Sequence, residues 1–143
     1  MKQLIHLSKL AHLNVGNTNI SGHGAISLKC LTQIKALHIG STKIKGTYIQ
    51  ELSKELKWLK KLSLKGLGVT DNVSGRGTLN SKQLQQISLN MQYLTHLDLG
   101  GCSTVDDSAF DYFYNLKFVN VWMANGISKL KRNELMHKNV VVI

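Results

Sequence analysis

The chain has no proline, only two cysteines among 143 residues, few aromatics (6%) and eight acidic residues against eighteen Lys and Arg. Without proline there is no stiff Pro-rich linker to divide it. Two cysteines cannot build a disulfide framework, which points to a reducing compartment and a cytoplasmic location. No stretch approaches the roughly 20 consecutive apolar residues needed to span a bilayer. The opening "MKQLIHLSKLAHLNV" interleaves leucines with Lys, Gln, His and Ser, unlike the apolar core of a signal peptide. The sequence has no CxxC pair, HExxH, P-loop or dinucleotide fingerprint, and no Ser/His/Asp order, so catalysis is not expected. The sequons at Asn19 and Asn72 carry little weight in an Asn-rich chain.

What is abundant is leucine at a regular period. "LAHLNVGNTNI" (10–20), "IKALHIGSTKI" (34–44), "LKKLSLKGLGV" (59–69), "LTHLDLGGCSTV" (94–105) and "LKFVNVWMANGI" (116–127) share an apolar residue, two variable residues and an apolar-x-apolar pair. The first member of the pair falls at Leu13, Leu37, Leu62, Leu97 and Val119, spacings of 24, 25, 35 and 22. All but one lie in the 20 to 29 window of leucine-rich repeats. The expected fold is a single α/β domain over 1–143 of about five to six repeats. It would be a right-handed leucine-rich repeat solenoid, with parallel strands on a concave face and helices on the convex face. Helices are expected in "SLKCLTQI", "YIQELSKELKWL", "SKQLQQISLNMQYL" and "SAFDYFYNL", whose apolar residues recur three or four apart. "SKLKRNELMH" reads as a further helix and "KNVVVI" as a final strand. The long spacing places a loop insertion near 70–80, with Asn80 or Ser81 as the next N-cap. Gly75-Arg76-Gly77 within it reads as surface loop rather than anion cradle.

Five residues after each strand leucine come Thr18, Thr42, Leu67, Cys102 and Ala124. Cys102 thus occupies a repeated structural place, as a ladder residue rather than a nucleophile, and Cys30 reads as a small buried hydrophobe. Asp106 and Asp107 read as capping and helix N-terminal charge.

"LTHLDLGGCSTVDDSAFDYFYNLKFVNV" (94–121) resembles the cysteine-containing leucine-rich repeats of F-box-type ubiquitin-ligase adaptors and, more broadly, ribonuclease-inhibitor-like α/β repeats. The resemblance implies an arc that binds protein. Adaptor, scaffold and bacterial effector in a host cytosol are the roles it brings to mind, and the start in mid-repeat suits an adaptor fragment.

Side chains alternate across a strand, so the residues flanking each buried leucine form an outward stripe. Its members chosen as partner-binding candidates are His12, Asn14, His38, Lys61, Ser63, Lys65, His96, Asp98, Phe118, Asn120 and Trp122. A basic middle at Lys61 and Lys65 beside an aromatic end at Phe118 and Trp122 suits a protein partner with an acidic patch and an apolar anchor. Phe118 and Trp122 could equally shield the end of the core. His12 and His96 are three strands apart, about 14 Å at roughly 4.8 Å per strand, too far to share a metal. No metal or cofactor is expected. The net charge of +10 leaves a nucleic-acid or anionic-surface binder as the alternative, without a nucleic-acid motif to favour it. Uncapped repeat ends invite oligomerisation.

Overall fold

The computed structural model describes residue 7 and residues 9–67 and 78–143. Of the insertion near 70–80, residues 70–77 lie outside the described residues.

Six short strands, β1 (His12–Asn14), β2 (Ala36–His38), β3 (Lys61–Ser63), β4 (His96–Asp98), β5 (Phe118–Asn120) and β6 (Val141–Val142), form one parallel sheet in sequence order. The register aligns Leu13, Leu37, Leu62, Leu97, Val119 and Val142 as successive rungs. The recurring apolar pair therefore becomes a column despite its unequal spacing, and its neighbours Ile39, Leu64, Leu99 and Val121 complete the core face of the strands. This is the expected α/β repeat architecture, with β6 as the sixth rung.

The return segments cover the other side. They are α1 (Gly22–Ile26), α2 (Gly46–Glu55), α3 (Ser81–Asn90) and α4 (Lys129–His137), with 3-10 turns at Ser27–Cys30 and Asp107–Phe110. Ile49 and Leu52 of α2 and Leu84 and Ile87 of α3 are buried at helical spacing, with Leu56 and Met91 just beyond each helix end. Asn80 is the N-cap of α3: its side chain accepts from Gln83 N–H at 2.9 Å, and the Gln83 side chain accepts from Asn80 N–H at 3.0 Å, satisfying two orphan donors at once. Gly46 packs closely, and a Cβ there would press on the Gln83 side chain of this capping box and lie 2.9 Å from Thr78 O of the backbone.

Three expectations need correction. The first helix lies at Gly22–Ile26, ahead of "SLKCLTQI", of which Ser27–Cys30 is a 3-10 turn. "SAFDYFYNL" is likewise only a 3-10 turn at Asp107–Phe110, because a 22-residue period leaves less chain for the return than the longer repeats. Cys30 is exposed rather than buried, because it ends the 3-10 turn Ser27–Cys30 with its side chain outside the packed face and Sγ 3.0 Å from Ser27 O.

A left-handed residue recurs four positions after each strand leucine. Asn17, Ser41, Gly66, Gly101 and Met123 have φ of 56°, 52°, 68°, 74° and 56°. The chain must reverse there on every rung, and only Gly adopts that region without cost.

Candidate functional site

The strand register sets the outward columns. Asn14, His38, Ser63, Asp98 and Asn120 are consecutive partners, as are His12, Ala36, Lys61, His96 and Phe118. Beyond the strands, Ser41 N donates to Lys65 O, Gly66 N to Gly100 O and Gly101 N to Trp122 O. These bonds carry the ladder past the strands to Lys65, Gly100 and Trp122.

Not every member of this stripe is available to a partner. Asn14, Asp98 and Asn120 each accept from the N–H two residues on, Gly16 at 2.9 Å, Gly100 at 3.0 Å and Trp122 at 3.0 Å. They hold the turn that follows the strand. Ser63 is buried, and its hydroxyl donates to Asp98 Oδ2 at 2.9 Å. Both Asp98 carboxylate oxygens thus have internal donors. The alternation rule located these side chains correctly but could not see that the turn uses three of them.

Seven of the eleven stripe residues come together around one depression of about 250 Å³. Its lining is His38, Lys61, Ser63, His96, Asp98, Phe118 and Asn120 with the strand leucines Leu62 and Leu97. The His96 and Phe118 rings stack at a centroid distance of 5.8 Å and an interplanar angle of 25°, giving an apolar wall. Thr95 Oγ1 lies 2.9 Å from His96 Nδ1 and fixes the ring's orientation. Burial, with the neighbouring Lys61 and Lys117 charges, pulls the His96 pKa below its usual value, so the imidazole is neutral at pH 7. Lys61 is exposed at the rim.

A second depression of about 380 Å³ adjoins the turns after the strands and includes Lys65, Gly66, Gly100, Trp122 and Met123. Trp122 is 59% and Met123 58% exposed, so Trp122 does not shield the core, whereas Phe118 is half-buried. His12 and Asn14, on the edge strand β1, line neither depression. Met123 escaped the sequence reading. Its signal was its place, homologous to Gly66 and Gly101, in a column where a bulky residue is strained.

Cys102 is fully buried. Its thiol is 3.3 Å from Leu64 O of the preceding repeat, and burial pushes its pKa up to about 12, the state of a packing residue rather than a nucleophile. Thr42 makes the equivalent link within its own repeat, Oγ1 to Ile39 O at 2.7 Å. Asp106 caps the 3-10 turn by accepting from Ser108 N at 3.0 Å, whereas Asp107 reaches the next repeat and accepts from Ser128 N at 2.7 Å. Among the described residues no group of three or more His, Cys, Asp or Glu is placed to hold a metal ion, and no helix is long and apolar enough to cross a membrane.

The sequence matches no family model and has no significant match among curated proteins. Its fold does match solved structures. A leucine-rich repeat protein of Leptospira interrogans superposes with a TM-score of 0.61 at 20% identity, over 100% of this chain and 33% of that one. An internalin of Listeria monocytogenes, inlF, gives a TM-score of 0.44 at 15% identity, over 89% of this chain and 48% of that one. This chain therefore spans about a third of the length of the Leptospira protein. The Leptospira match shows the leucine-rich repeat fold.

Proposed function

We propose that the chain is a non-enzymatic recognition module that binds a protein partner through its strand face. The observation that carries this is the convergence of Lys61, His96, Phe118 and their neighbours on one depression whose wall is apolar and whose rim is cationic. The occupant that fits is an apolar or aromatic side chain carried beside a carboxylate. Lys65 and Trp122 in the adjoining depression extend the same chemistry, a second cation beside an exposed indole of the kind that anchors interfaces. Among the described residues Lys61 and Lys65 take part in no ion pair, which supports an acidic partner. The buried Cys102 thiol, held protonated by a pKa pushed up to about 12, supports binding over nucleophilic catalysis.

The test is affinity capture with the parent protein and the Lys61→Glu/Lys65→Glu variant, at physiological and high salt, beside their thermal transitions. The reading expects one discrete protein retained by the parent and lost by the variant at an unchanged transition. Equal capture by both would remove the strand face as the recognition surface. A finer role, as the recognition arm of a ubiquitin-ligase adaptor, is favoured only by the Cys102 rung, and co-capture of ligase components would be its signature.

A further inference from the structure

A second surface, separate from the strand face, lies along the rim where each return segment turns into its strand. The four turns read TQIK (32–35), KWLK (57–60), QYLT (92–95) and YNLK (114–117). In each, the third residue, Ile34, Leu59, Leu94 or Leu116, is buried and locks the turn to the core. The residues around it face outward at a fixed height. Backbone bonds set that height: Lys60 N donates to Lys35 O, Thr95 N to Lys60 O and Lys117 N to Thr95 O. Lys35, Lys60 and Lys117 are therefore in register on the rungs of β2, β3 and β5, which lie about 4.8 Å apart from one strand to the next.

Exposed aromatics stand in three of these turns, Trp58 and Tyr93 at the second position and Tyr114 at the first. Trp58 is 50% exposed, Tyr93 52% and Tyr114 80%. Trp58 and Tyr93 stack at 4.8 Å, and Lys35 Nζ lies 5.8 Å from the Trp58 ring. β3 lies between β2 and β4, so the indole has one such neighbour from each flanking rung.

Charge here is one-sided. Among the described residues Lys35, Lys57, Lys60 and Lys117 take part in no ion pair, whereas Lys29, Lys54, Lys131 and Lys138 are paired with Glu51 or Glu134. Residues 1–50 contain no acidic residue at all. Along the chain Glu55 stands two residues before the second turn, Asp98 three after the third and Asp111 three before the fourth.

Two ligands share the needed chemistry, an anionic bilayer surface and a nucleic-acid strand. Strand binding uses open aromatic faces on which bases stack, but the Tyr93 ring is stacked on Trp58 and Lys35 Nζ lies 5.8 Å from its centroid. An interfacial contact needs only exposed Trp and Tyr at headgroup depth with lysines beside them, presented at one level. We infer that this rim docks on a membrane surface bearing anionic lipid headgroups, leaving the strand face turned to a protein partner.

The test uses the full chain with Trp122→Phe, so that Trp58 alone reports, and vesicles of phosphatidylcholine with and without 30% (about one lipid in three) phosphatidylserine. The expected results are a blue-shifted Trp58 emission and co-sedimentation with the anionic vesicles alone. Lys57→Gln with Lys60→Gln should then reduce partitioning about tenfold or more, at about 1 kcal/mol per lysine near the surface. The charge-matched pair Lys43→Gln with Lys45→Gln, away from the rim, should reduce it less than threefold (about 0.6 kcal/mol). Absence of vesicle binding, an equal loss in both pairs, or binding of poly(U) RNA without vesicle binding would each overturn the assignment. None of these outcomes depends on the protein partner proposed for the strand face.

Discussion

Arg132 of α4 donates from Nη2 to the carbonyl of Val121 at 3.1 Å, the place in its repeat that Thr18 serves by donating to Val15 O at 2.6 Å and Thr42 by donating to Ile39 O at 2.7 Å. The fifth repeat carries Ala124 in that column, with no side-chain donor of its own. Arg132 supplies it from the next helix and also reaches Ala124 O and Ile127 O, both at 3.3 Å. One guanidinium thus ties α4 to the turn it covers. α4 buries only Leu135 on its own account, so this tie is a large part of its attachment. Arg132→Ala should lower the unfolding free energy by about 2 kcal/mol, as expected for bonds from a charged donor. Arg132→Lys should recover only a fraction, because an ammonium cannot match the fork. Urea unfolding midpoints check both, and an unchanged midpoint in the alanine variant would mean that backbone donors alone satisfy these carbonyls.

Met123 has φ of 56° and little packing to compensate, being 58% exposed. Met123→Gly should therefore raise stability by about 1 kcal/mol, the relief of left-handed strain offset by the extra chain entropy of glycine. If the Met123 side chain contributes to recognition beside Trp122, the same variant should bind the partner more weakly while melting higher. Thermal scans paired with binding curves separate the two effects.

His96 has a folded-state pKa below its usual value of 6.5, so the unfolded chain takes up the proton first. Its effect on stability is absent above about pH 6.5, where both states are neutral, and grows as a loss while the pH falls through 6.5 toward the folded value. Lys61→Met should shift the His96 titration upward and flatten that loss, both visible in proton NMR. An unmoved titration would mean that Lys61 does not act on the ring.

Cys30 and Cys102 should differ sharply toward thiol reagents. Cys30 is exposed and should react in the native protein. Cys102, with its pKa pushed up to about 12, should react only after unfolding. Cys102→Ala should cost about 1 kcal/mol or more, and Cys102→Thr should restore part of it by reproducing the Thr42 bond.

Much of this was legible in the sequence, because a repeat converts spacing into register: the leucine at 13, 37, 62 and 97 and the valine at 119 had to stack once each lay on a strand. The cap of α3 was legible as Asn80 or Ser81, and the structure uses Asn80. The return segments were less legible. The strand period fixes where the chain must come back but not whether it does so as a helix or a short 3-10 turn, as at Asp107–Phe110. At the strand face, alternation put Asn14, Asp98 and Asn120 outside, yet a carboxylate or amide that folds back onto its own turn has the same outward position as one that waits for a ligand. The Trp58–Tyr93 stack joins residues 35 apart in sequence, and only the finished ladder makes them neighbours.

Among the described residues each strand pairs only with its neighbours in sequence, so the longest chain loop that these pairings close is the 35-residue separation of Leu62 from Leu97. The sheet therefore has low contact order for a parallel β structure. During synthesis, the rung of β2 on β1 can settle before β4 has left the ribosome, and each later repeat meets a template already standing. The slowest addition should be the fourth rung, where the longest loop must close.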